Sequence, residues 1–89
     1  MNDLQKSRET IDKIDKKMAK LFVERLNAVE KIALYKKMNE LKVYDAKREQ
    51  EIILKNCEYI KDKALKEYYK SFIEKVMEIS RSFQDELIK

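Results

Sequence analysis

The sequence predicts an all-α fold of three helices, one long and N-terminal and two shorter. Glycine and proline are both absent and lysine, glutamate, leucine, isoleucine and methionine dominate, so most positions favour helix and none advertises a turn with positive φ. Charged residues make up 43% of the chain, which with scattered apolar residues would describe a disordered polymer, but here the apolar residues recur with helical period. The 89 residues, 1–89, are one domain's worth. Such a chain buries only a modest core alone, so association is the expected remedy.

The first helix is expected to start where Asn2 or Asp3 can cap it and to run to Met38 or Asn39. Leu4, Ile11, Met18 and Ile32 fall in one heptad column, and Ile14, Leu21, Ala28 and Tyr35 in the next. At 1.5 Å per residue this helix is on the order of 50 Å long, more than a globule of this size can enclose, and a second chain is its natural cover. Periodicity lapses over residues 39–44, which places the first connection there, with Asp45 as N-cap of the second helix. That helix is expected to reach Tyr59 or Ile60 and to bury some of Ile52, Ile53, Cys57 and Ile60. Asp62 caps the third helix, which runs from Lys63 to the end with Tyr69, Ile73, Val76, Phe83 and Leu87 as its seam. Ser80 sits in that seam, and Gln84 follows one turn later on nearly the same face.

Several function classes are excluded. The net charge is +4, but acids and bases interleave as on solvated helix faces with i,i+4 charge pairs, which argues against a nucleic-acid partner. Cys57 is the only cysteine, so no intramolecular disulfide forms; the start lacks a signal-peptide core and no apolar run could span a bilayer. A cytoplasmic protein without membrane contact is expected. With no histidine, one cysteine and no Gly-rich loop, the chain offers no metal cluster, no Ser/His/Asp or Cys/His nucleophile system and no phosphate cradle. Catalysis without metal or cofactor would have to be electrostatic or positional.

Cations interrupt the apolar stripe of the first helix. Arg25 fills the vacant place in the first column, and Arg8 and Lys36 lie in the column beside it. A guanidinium facing an apolar surface is costly unless an anion or a polar network meets it. Together Arg8, Arg25, Lys36, Arg48, Glu49, Ser80 and Gln84 suit a small dianion that carries a hydroxyl and an uncharged oxygen. Arg25 and Lys36 are roughly 16 Å apart along the axis and within about 20° of one face, so their side chains can converge. Arg8 lies roughly 25 Å from Arg25 and about 40 Å from Lys36 and cannot join them from the same chain. Antiparallel pairing of two copies about a two-fold axis would bring it to the other chain's site. Singly, each residue has an ordinary reading: solvated cations for Arg8 and Lys36, a snorkelling Arg25, a Ser80 hydroxyl bonded to the preceding turn.

In combination, Arg8-Glu9-x-Ile11-x-x-Ile14-Asp15, Glu24-Arg25, Lys36, Val43-Tyr44-Asp45-x-x-Arg48-Glu49 and Ser80-x-x-x-Gln84 resemble the all-helical (AroQ-type) chorismate mutases in type, order and spacing. The resemblance covers essentially the whole chain. It implies an intertwined homodimer of three-helix chains and the cofactor-free Claisen rearrangement of chorismate to prephenate, in phenylalanine and tyrosine biosynthesis. By position it implies that Arg8 of the partner, with Arg25 and Arg48, holds the substrate's carboxylates, supported by Ser80. Lys36 and Gln84 would address the ether oxygen, and Glu49 with the Asp45 backbone amide the ring hydroxyl. The family often has proline where this chain has Lys42, which bears on the rigidity of the connection. An isochorismate pyruvate lyase of the same fold is the neighbouring chemical reading, and a non-enzymatic basic helical interaction module is the reading from another class.

Overall fold

Helix α1 spans Asp3–Met38, α2 spans Ala46–Cys57 and α3 spans Lys63–Leu87 in a computed structural model that describes residues 2–89. The described residues contain no strand. All three helices start on side-chain caps: Asn2 accepts from the Gln5 amide at 2.8 Å, Asp45 from Arg48 at 3.0 Å and Asp62 from Ala64 at 2.9 Å. Each such cap typically contributes about 1 kcal/mol, which matters most in a chain with so small a core.

Helix α1 ends at Met38 as expected, while the end of α2 departs from expectation. The second helix stops at Cys57, not at Tyr59 or Ile60, because the next amides bond three residues back: Glu58 to Lys55, Tyr59 to Asn56 and Ile60 to Cys57, at 3.1–3.2 Å. This tighter winding closes the helix without glycine. At the end of α1, Glu40 adopts φ 55°, in a sequence with no glycine to take that conformation. It is the left-handed residue of a Schellman turn, with Leu41 N–H donating to Lys36 C=O at 2.8 Å and Glu40 N–H to Lys37 C=O at 3.3 Å. A non-glycine residue there stores about 1 kcal/mol of strain. Glu40→Gly is therefore expected to raise the melting temperature by about 4 °C in thermal denaturation followed by circular dichroism. A lowered midpoint would contradict the strain argument.

Helix α3 packs against both α1 and α2, while α1 and α2 do not approach each other closely. Arg25 meets Met77 and Ser80, and Glu49 meets Arg81, so one stretch of α3 carries both neighbours. The apolar core is small: Val29 and Ala33 of α1 against Ile73 and Met77 of α3. Buried positions on α3 follow the 3.6-residue period as Ile73, Met77, Ser80 and Gln84, whereas Tyr69, Val76, Phe83 and Leu87 of the expected heptad seam are only half-buried. Local charge pairs on the surface are spaced i,i+3 instead of i,i+4: Arg48 with Glu51, Lys75 with Glu78 and Glu86 with Lys89. All are exposed and contribute little.

Most of α1 is uncovered within one chain. Every residue from Asn2 to Glu24 is exposed, including Leu4 at 58%, Ile11 at 54% and Leu21 at 59%. Both heptad columns read from the sequence thus stay bare, because α3 packs on the neighbouring Val29–Ala33 face. The radius of gyration is 16.4 Å, against about 12 Å for a compact chain of this length. Among the described residues no helix is long and apolar enough to cross a membrane.

Candidate active site

The gap between α1 and α2, floored by α3, forms a cavity of about 300 Å³. Helix α1 supplies Arg25, Val29, Ile32 and Lys36 to its wall, the connection supplies Val43 and Asp45, α2 supplies Arg48, Glu49 and Ile52, and α3 supplies Met77, Ser80 and Gln84. Seven of the eight residues singled out in the sequence therefore share one cavity. Arg8 does not; it is exposed on the free part of α1, seventeen positions before Arg25.

Local packing sets the side chains that the substrate would meet. The Arg25 guanidinium donates to Ser80 Oγ and lies 3.6 Å from Met77 Sδ, which answers the cost of a cation in an apolar stripe with a polar partner across the helix interface. Ser80, 4% exposed, is thus spent on Arg25 and not on its own preceding turn. Lys36 Nζ donates to the Val43 carbonyl at 2.8 Å, tying the last turn of α1 to the connection and holding the ammonium at the cavity wall. Asp45 caps α2, and Arg48 and Glu49 sit in the first turn that this cap orders. Arg48 is largely exposed and holds only a loose 3.9 Å pair with Glu51, so its fork is available to a ligand.

Gln84 is 9% exposed, and its Nε2 makes a long 3.4 Å bond to the Ser80 carbonyl. That bond uses one of the two amide hydrogens, and the other remains for a ligand oxygen. Its Oε1 is buried without a partner among the described residues, an uncompensated acceptor of the sort that collects at ligand sites. The cavity thus presents three cations, two carboxylates, a hydroxyl and an amide around an apolar wall of Val29, Ile32, Ile52 and Met77. Such a lining can hold a dianion by its carboxylates, hydrogen-bond an uncharged oxygen and accept from a hydroxyl.

A larger groove of about 710 Å³ lies toward the other end of α1 and α3, lined by Met18, Leu21, Phe22, Tyr69, Phe72 and Val76 among others. Its lining is mostly apolar, and only Arg25 is shared with the candidate site residues. Convergent polar groups, not volume, mark the smaller cavity as the candidate site.

The model of the chorismate mutase type II family matches residues 7–85. The chain belongs to that family. No curated protein and no solved structure matches it. The span matched to the type II chorismate mutases begins one residue before Arg8 and ends one after Gln84, so all eight candidate residues fall inside it. The resemblance drawn from the sequence is thereby borne out at the level of the family.

One side chain near the site, Arg81, was not singled out by sequence, and it contacts Tyr44 and Glu49 of the quoted motif. Arg81 Nη1 donates to both Glu49 oxygens at 2.9 and 3.1 Å, and the Arg81 guanidinium lies 4.7 Å from the centroid of the Tyr44 ring. The one local signal was position: Arg81 stands between Ser80 and Gln84, three residues before the latter on the same helix.

Proposed function

We propose that the protein is a chorismate mutase, converting chorismate to prephenate by an intramolecular Claisen rearrangement in phenylalanine and tyrosine biosynthesis. The observation that carries this reading is the convergence of Arg25, Lys36, Arg48, Glu49, Ser80 and Gln84 on one cavity in a chain of the type II family. A pericyclic rearrangement needs no nucleophile, general base or cofactor. It needs the enolpyruvyl arm folded over the ring, a shape that opposed salt bridges to the two carboxylates impose.

In this reading Arg25 and Arg48 hold the carboxylates, with Ser80 supporting Arg25. Lys36 and the free amide hydrogen of Gln84 donate to the ether oxygen as its bond to carbon breaks and negative charge grows there. Glu49 accepts from the ring hydroxyl, to which the Asp45 backbone amide donates. The bare columns of α1 pair with a second copy in an intertwined homodimer, in which each chain lends Arg8 to the other's cavity. The extended single chain and its exposed Leu4, Ile11, Ile14, Met18 and Leu21 support that assembly.

The deciding experiment adds chorismate to the purified protein and follows loss of its absorbance and appearance of prephenate. Folded protein without turnover would sink the proposal. Release of pyruvate from isochorismate in preference to turnover of chorismate would assign the lyase reaction instead.

A further inference from the structure

Glu49 raises an electrostatic problem in a cavity meant for a dianion. Its carboxylate, 19% exposed, lines the same wall as the three cations and would repel the substrate's carboxylates. Arg81 answers it from behind. The guanidinium does not line the cavity, yet one of its nitrogens bridges both Glu49 oxygens at 2.9 and 3.1 Å. The guanidinium is itself fixed over the Tyr44 ring, 4.7 Å from the centroid, in the residue preceding the Asp45 cap. A pair thirty-two residues apart in sequence thus joins α3, the connection and the first turn of α2 at one wall.

We infer that Arg81 is a positioning residue that acts through Glu49: it orients the carboxylate as an acceptor for the substrate hydroxyl and cancels its charge toward the substrate's carboxylates. The inference rests on the chorismate mutase reading. It carries a kinetic signature. The ring hydroxyl takes no part in bond making or breaking, so a contact to it is made alike in ground and transition states and its loss falls on KM, not on kcat.

A double-mutant cycle with chorismate as substrate tests this. Arg81→Ala is expected to raise KM roughly tenfold with kcat held within about twofold. In a Glu49→Gln background, where the charge to be cancelled is gone, Arg81→Ala is expected to change KM less than about twofold. Arg81→Lys restores the charge without the planar stack on Tyr44 and is expected to recover part of the affinity. Where Arg81→Ala does not fold, Arg81→Lys and Tyr44→Leu complete the same cycle. An equal KM rise in both backgrounds, a loss confined to kcat, or no effect at all would overturn the inference while wild-type turnover stands. A wild-type protein inert toward chorismate overturns the functional reading and this inference with it.

Discussion

Lys36→Ala is expected to lower kcat at least about a hundredfold, equivalent to about 3 kcal/mol in the barrier, with helix content and melting behaviour close to wild type. The ammonium is held at 2.8 Å by the Val43 carbonyl before any ligand arrives, so its orientation is not at the expense of the reaction step. Its contribution grows as charge develops on the ether oxygen, which places the loss in kcat and kcat/KM together. Stopped or steady-state chorismate absorbance measurements on wild type and variant decide the point. A kcat within a few fold of wild type would leave Lys36 as a tie between α1 and the connection and nothing more. The contrast with Arg81→Ala, where the loss is expected in KM, separates a group that meets the reacting atoms from one that works through another.

An equal mixture of Arg8→Ala and Arg25→Ala chains, each nearly inactive alone, is expected to recover roughly one quarter of wild-type activity after co-refolding. Random pairing makes half of all dimers mixed. In each mixed dimer one cavity collects both lesions and the other is intact. The reason lies in the distances: Arg8 is roughly 25 Å along α1 from Arg25, beyond the reach of any side chain, yet it lies on an uncovered segment. No recovery in the mixture, with heterodimers demonstrated by mass, would place Arg8 outside the site. Recovery without subunit exchange would be equally contrary.

Much of this architecture was legible from residue type alone. Asn2, Asp45 and Asp62 announce the three helix starts because N-capping is local chemistry between a short oxygen-bearing side chain and amides two or three residues on. Helix ends were less legible. With no glycine to mark it, the turn at Glu40 is imposed by the bonds of Leu41 and Glu40 to the preceding turn, and the close of α2 at Cys57 by a switch to shorter-range bonds. Six of the seven candidate residues at the cavity stood out by type and register and Asp45 through the family resemblance, and the fold gathers all seven. Arg81 was not found, because its partner Glu49 lies on another helix and no spacing along the chain reports a contact of that kind.

What the sequence determined by itself is the helical state, the starting points of the helices and the list of groups able to receive a dianion. Those depend on propensity, capping and charge, which act over a few residues. Tertiary structure decided which face of α1 is used. The apolar columns through Leu4 and Ile14 carry the periodic pattern read from α1, yet α3 packs on Val29 and Ala33 and leaves those columns exposed. The choice follows from where Arg25 must find Ser80 and where Lys36 must find the connection, contacts between segments up to fifty-five residues apart. Periodicity can say that a face is apolar; only packing in three dimensions says what covers it.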